Sequence, residues 1–298
     1  MDCMLEIGAL LMEVRSVRWR RDTIPRNFRP FVRQARSVDG AARLRVESRT
    51  DLPDVSGQAP LSTSYNDLGQ ASLYSTPQGW VVALTPQPGQ PPRLMRMSPD
   101  LRDAVVWLPR DDPHYDFVMD SMARIFFSQH AAGRHSLMLH ASVVELDGRG
   151  YLFMGESGIG KSTHSRLWRE TFGDCRLLND DCPLVTADGR GGFLVSGTPW
   201  SGKTPCYRKA TCRVAGIARL RQAPYNRFTP LEGVEAFVNF IPGMSVMTSA
   251  RQLYSEATTT ALALLEGVPF GILECRPEGA AAQLLNAQLN EELKMHNA

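Results

Sequence analysis

The chain has 298 residues, of which 43% are hydrophobic and 21% charged, with a formal net charge of +2. These are ordinary globular values, and they exclude a disordered, collagenous or coiled-coil protein. A charge so near zero argues against a global nucleic-acid-binding field, and no run approaches the roughly eighteen apolar residues of a membrane helix.

The N-terminal end carries Asp2, Glu6 and Glu13 around the short apolar run 7–12, the wrong charge for a secretory leader. The first fifty residues then hold eleven arginines against six acids, scattered among Trp19, Phe28 and Phe31. Interleaved aromatics and arginines are one form of a nucleic-acid surface. A solvated basic face on a small β-domain has the same composition, and the small net charge favours it. Residues 50–70 are rich in Ser, Pro, Asp and Gly and read as loop. Strands are expected at 71–75 and 80–84, joined by a Pro-Gln-Gly turn, and another at 101–108. Pro109 and Pro113 bracket charged residues, so a small β-rich domain is placed at 1–112 and a second domain at 113–298.

From Tyr115 the pattern changes. Phe117, Val118, Met122, Ile125 and Phe126 recur at helical spacing and predict a helix over 115–131, ended by Gly133. Apolar runs at 137–146 and 151–154 follow, linked by Asp147-Gly148, a pair favoured in tight hairpins. The second run leads straight into Gly155-Glu156-Ser157-Gly158-Ile159-Gly160-Lys161-Ser162-Thr163. This fits the phosphate-loop pattern G-x-x-x-x-G-K-[ST] at each fixed position. The glycines let backbone N–H groups turn toward phosphate oxygens. The helix expected over 163–172, with Leu167, Trp168 and Phe172 inward and Gly173 as its cap, adds a positive dipole. Lys161 supplies a cation for the β- and γ-phosphates of a nucleoside triphosphate, and Ser162 a hydroxyl for Mg2+.

Residues 176–179 predict a short strand ending in Asp180-Asp181, where a Walker-B carboxylate belongs. One aspartate can hold metal while the other accepts a proton. Asp181 is assigned to the metal, with Ser162, and Asp180 to the base, although the spacing also permits the reverse. Next comes Gly197-Thr198-Pro199-Trp200-Ser201-Gly202-Lys203-Thr204-Pro205-Cys206-Tyr207-Arg208. This segment is read as a lid in which Lys203 and Arg208 counter charge on the transferring phosphoryl group. Only four lysines stand among 33 basic residues, and Lys161 and Lys203 are the two that follow glycine. Beyond the lid, a strand is expected at 214–220, helices at 231–240 and 251–265, a strand at 268–275 and a closing helix at 279–293. Asn226-Arg227 reads as a surface turn.

An antiparallel hairpin containing His140, then GESGIGKST, then a strand ending in two aspartates resembles the catalytic domain of HPr kinase/phosphorylase. That family shares its fold with phosphoenolpyruvate carboxykinases. The resemblance covers 140 to about 185, with a looser echo to the C-terminus. It implies an α/β, mixed-sheet P-loop kinase domain, ATP and Mg2+ as cofactors, and His140 beside the phosphates. The N-terminal region does not resemble that family's regulatory domain, and the glutamate-arginine-glycine signature is absent downstream of the aspartates. The expected activity is transfer of the γ-phosphoryl group to a hydroxyl on a peptide, small protein or small molecule. A carboxykinase acting on a keto acid and a non-catalytic nucleotide-binding accessory are the alternatives. Six cysteines without metal-ligand spacing are expected to be reduced, mostly buried thiols in a cytoplasmic protein. Partners are ATP and the acceptor, with no membrane and no nucleic acid; a homo-oligomer is compatible with the sequence.

Overall fold

The computed structural model describes residues 3–34, 40–48, 52–66, 69–202 and 204–296. It is a mixed α+β chain with two sheets, each containing parallel and antiparallel pairs. By contact, the chain divides into two compact units. One comprises Met1–Glu6, Leu10–Gly133 and Met247–Arg251, the other Ile7–Ala9, Arg134–Val246 and Gln252–Ala298. Among the described residues no helix is long and apolar enough to cross a membrane.

The first sheet is built from β1 (Cys3–Ile7), β2 (Leu10–Arg15), β3 (Val32–Arg33), β4 (Ala42–Glu47), β5 (Ser62–Asn66), β6 (Gly69–Thr76), β7 (Gly79–Thr85), β8 (Arg93–Met97) and β9 (Asp103–Trp107). Their order is β3-β1-β2-β4-β9-β8-β7-β6-β5. The expected hairpin is β6–β7, and Gly79 at its turn has φ +123°, closed to L side chains. A strand also forms at β5, where turn-forming composition predicted loop. Its residues alternate Ser, Thr, Ser, Tyr, and it pairs along β6, so cross-strand pairing overrode local propensity. Trp19, Phe28 and Phe31 are buried. The Trp19 indole N–H donates to Asp116 at 2.9 Å. These aromatics are core and do not lie on the surface to stack on bases.

Helix α1 (Tyr115–Ala132) packs against β4, β8 and β9, so the contact division falls after it, at Gly133. Val118, Met119, Met122 and Phe126 are buried along one stripe. Phe117, expected inward, is exposed; it lies one residue off that stripe, on the far side of a 3.6-residue turn.

The second sheet contains β10 (Ser136–Met138), β11 (Ala141–Leu146), β12 (Arg149–Met154), β13 (Arg176–Asp181), β14 (Leu184–Ala187), β15 (Phe193–Ser196), β16 (Thr211–Gln222), β17 (Arg227–Pro230) and β18 (Phe270–Cys275). Its main order is β10-β14-β15-β16-β12-β11-β13, with β18 pairing β16 and β17. The β12–β16 and β16–β18 pairs are parallel, and β11 is antiparallel to both β12 and β13. Asp147 and Gly148 turn the β11–β12 hairpin with φ +52° and +72°, the pair of positive angles that an Asp-Gly turn supplies.

Helices α2 (Lys161–Thr171), α3 (Gly233–Phe240), α4 (Arg251–Gly267) and α5 (Gly279–His296) complete this unit, apart from the first residue of α4. α2 packs on α5 and on β11, β12 and β13. Trp168, Tyr151, Phe153, Leu285 and Leu289 share the resulting core. α2 closes at Phe172, whose extended backbone ends the helix. Gly173 is therefore not the left-handed cap that its position suggested. The apolar run 137–146 is not one strand. Leu139 and His140 separate β10 from β11, and the His140 N–H donates to the Gly243 carbonyl at 2.7 Å. All six cysteines are free thiols, five of them buried.

Candidate functional site

Strand β12 ends at Met154, and the loop 155–160 carries the chain into α2. Gly155, Gly158 and Gly160 have φ +141°, +82° and +116°, a region that L side chains rarely enter. A Cβ on Gly158 or Gly160 would meet no atom within 4 Å. These glycines thus serve backbone shape, with open space in front of them. No side chain caps the N-terminus of α2. Its first-turn N–H groups and the positive end of its dipole therefore remain available to an anion. Glu156, Ser157 and Ser162 are exposed, and Ile159 and Thr163 half-buried. The Gln222 amide holds the loop from the side, on the Ile159 carbonyl at 3.4 Å.

Lys161 folds back over this loop. Its Nζ donates to the carbonyls of Gly155 at 2.9 Å and Glu156 at 3.0 Å, and lies 2.9 Å from His140 Nε2. An ammonium has only donors, so Nε2 accepts and Nδ1 carries the ring hydrogen. Nδ1 faces Asp181 Oδ1 at 3.1 Å. One imidazole thereby joins the loop cation to the strand-end carboxylate. Burial pushes the Lys161 ammonium below its ordinary pKa, while Asp181 and Asp180 pull it back up.

The two aspartates point to opposite faces of β13 because side chains alternate along a strand. Asp180 lies opposite Ser142 and Asp181 opposite Ala141 on β11. Ser142 Oγ meets Ser165 Oγ of α2 at 2.6 Å, so Asp180 shares the α2-facing side of the sheet. Asp180 is buried, whereas the Asp181 side chain is 22% exposed. Asp181 Oδ2 also accepts from the Cys182 thiol at 3.1 Å.

The segment after Gly197 docks onto this strand end through Asn179. The Asn179 amide donates to the carbonyl of Trp200 at 3.1 Å and to Thr198 Oγ1 at 3.3 Å. Its Oδ1 accepts the N–H of Asp181 at 3.1 Å and of Cys182 at 2.9 Å. Further along, Gly202 N–H donates to the Asp180 carbonyl at 2.5 Å, and Thr204 N–H to Asp180 Oδ2 at 3.3 Å. A Cβ on Gly202 would lie 2.6 Å from the Asp180 carbonyl oxygen. Close approach of the two backbones is what this glycine permits. Lys203 lies outside the described residues.

Arg208 is not brought to the phosphate loop. Its guanidinium is held by Glu145 Oε2 at 2.8 Å and the Leu177 carbonyl at 2.9 Å. Glu145 is four residues along β11 from Ala141, roughly 13 Å at strand rise. Arg227 pairs with Glu274 at the edge of β18. Asn179 and Cys182, which contact the strand end at Asp181, were not singled out from the sequence. Only Asn179 left a trace in the sequence, as a polar residue closing an apolar strand.

Among the described residues no group of three or more His, Cys, Asp or Glu side chains forms a metal cage. One or two carboxylates and a hydroxyl is the donor set magnesium takes when phosphates supply the rest. The glycine cradle, the uncapped α2 terminus and Lys161 fit a triphosphate tail on the same grounds.

A family model described as "SynChlorMet cassette protein ScmC" matches residues 110–279. Among solved structures, the chain is similar to the HPr(Ser) kinase/phosphatase from Coxiella burnetii. That likeness spans 53% of this chain and 97% of the other, at 15% identity and a TM-score of 0.32. No curated protein matches.

Proposed function

This chain belongs to the family of the SynChlorMet cassette protein ScmC, and we propose that it is a magnesium-dependent kinase that transfers the γ-phosphoryl group of ATP to a hydroxyl. The observation that carries this reading is the contact chain from Lys161 Nζ through His140 to Asp181. It ties a phosphate-binding cation to a partly exposed carboxylate, the two groups that phosphoryl transfer requires in one place.

The backbone N–H groups of 156–161 and the first turn of α2 bind the β- and γ-phosphates. Lys161 exchanges the Gly155 and Glu156 carbonyls for phosphate oxygens. Ser162 and the α2-facing Asp180 are the residues that would hold magnesium. When bound, magnesium neutralises phosphate charge and orients the tail. Asp181 accepts the proton of the acceptor hydroxyl, and His140 holds its carboxylate in place. Side-chain exposure supports this order, the reverse of the one favoured by the sequence. Lys203 directly follows Gly202, whose N–H is bonded to Asp180, and it is retained as a cation for the transferring group. Arg208, engaged with Glu145, has no role in this scheme.

The test is calorimetric titration of ATP with magnesium into the protein and into Lys161→Ala, paired with a screen for γ-label transfer to peptides and small alcohols. Binding that weakens at least about tenfold in the variant, with transfer abolished, is expected. Equal binding by both proteins would remove the phosphate-loop reading.

A further inference from the structure

Strand β16 runs parallel to β12 with Arg219 opposite Met154, the residue before Gly155. Residues paired across neighbouring strands project from the same face. The Met154 side chain on that face reaches the 3-10 turn Ile241–Gly243, where a Cβ on Gly243 would strike its Cε. The Gly243 carbonyl is the one that accepts the His140 N–H. Arg219 is therefore level with the C-terminal end of β12, three residues before the end of β16 and one strand from Gly155. The carboxyl ends of parallel strands are where open α/β sheets bind ligands.

The Arg219 guanidinium is half-buried and fixed. Its Nη1 donates to the Asn239 carbonyl at 3.0 Å, near the end of α3. Two other partly buried arginines have carboxylate partners, Arg93 on Asp112 and Arg208 on Glu145. Among the described residues Arg219 has none. A guanidinium withdrawn from water without a carboxylate leaves donors open to an anion. Its charge is also among those that depress the Lys161 ammonium, so two cations act on one space. A ligand carrying several negative charges relieves that repulsion, and a polyphosphate tail does so more fully than a single carboxylate.

We propose that Arg219 is a second phosphate-binding cation of this site, which grips the terminal phosphoryl oxygens together with Lys161 and makes the site prefer a nucleoside triphosphate to a diphosphate. This rests on the nucleotide reading above. One guanidinium nitrogen stays on Asn239 while the remaining N–H groups form a planar fork toward the phosphate.

The test is calorimetric binding of ATP and ADP, each with magnesium, and of inorganic tripolyphosphate. The proteins are the full chain and its Arg219→Gln, Arg219→Lys and Arg221→Gln variants. Arg219→Gln should weaken ATP and tripolyphosphate about tenfold and ADP less than about threefold, as expected for loss of a charge-assisted contact to the terminal group. Arg221 is exposed and bonded to the Asn239 side chain at 3.3 Å. Its Gln variant should leave the ATP/ADP ratio within about twofold. A purely structural Arg219 would lower Tm and weaken both nucleotides equally, and an unchanged ratio overturns the proposal. Should Arg219→Gln not fold, Arg219→Lys reads the same ratio, expected to fall about threefold as an ammonium replaces the fork. No change there also overturns it. A full chain that binds no nucleotide removes the kinase reading and this one together. Normal ATP binding with an unaltered ratio removes this one alone.

Discussion

His140 Nδ1 lies 3.1 Å from Asp181 Oδ1, and the same ring accepts from Lys161 through its other nitrogen. The imidazole is held at its ends by a cation and a carboxylate, so its tautomer and plane follow from its neighbours. In the proposed reaction His140 is a positioning residue, because it acts through Asp181.

Replacing His140 with Gln should lower ATP turnover by at least about tenfold while ATP affinity stays within about threefold. Comparing kcat with the calorimetric Kd separates the two. Because the carboxylate loses its oriented donor, the acid limb of the pH–rate profile should also move. A parallel loss of binding and turnover, with an unmoved profile, contradicts the positioning role.

Asn179 is buried and fully engaged. Asn179→Ala removes the side-chain bonds to the Asp181 and Cys182 amides and to the Trp200 carbonyl from a buried site, so unfolding free energy should fall by about 2–4 kcal/mol. Urea unfolding checks this, and the loop after Gly197 should become more sensitive to protease. Loss of stability without a gain in cleavage would mean that Asn179 does not anchor that segment.

Gly202→Ala introduces a methyl 2.6 Å from the Asp180 carbonyl oxygen. Backbone on both sides resists, so a cost of about 1–3 kcal/mol is expected. Turnover should fall with it, since the displaced strand end carries both aspartates. A neutral effect on both would show that the segment is free to move away.

His164 is buried on α2, and its Nε2 accepts the Trp168 indole N–H at 3.0 Å. Burial pushes its pKa down to about 4. In the unfolded chain the group takes up a proton near pH 6.5, and in the folded chain only near pH 4. Between those values the unfolded state binds more protons, so stability falls as pH falls through this window. The expected loss from His164 is about 3 kcal/mol by pH 4, with no dependence on this group above pH 7. His164→Phe should flatten the slope of stability against pH between 6.5 and 4. An unchanged slope would place the acid sensitivity elsewhere.

Several features follow from local sequence. Gly158 and Gly160 take positive φ in open space because the loop's own geometry demands it. The Asp147-Gly148 turn and the helical stripe of α1 likewise depend on residues within a few positions of each other. That is why GESGIGKST, the hairpin before it and the double aspartate after it were legible as a candidate site. Tertiary structure decided the rest, because the remaining choices rest on partners far away along the chain. Both Arg208 and Lys203 stand in one polar, glycine-bearing segment, yet Arg208 is drawn away to Glu145, 63 residues earlier. Arg219 shares strand β16 with Arg213 and Arg221, and only the parallel register sets it opposite Met154, the residue before Gly155. The orientation of Asp180 and Asp181 is of the same kind. Two adjacent carboxylates are equivalent in sequence, and the pleat of β13 gives one to the α2 side and the other to His140.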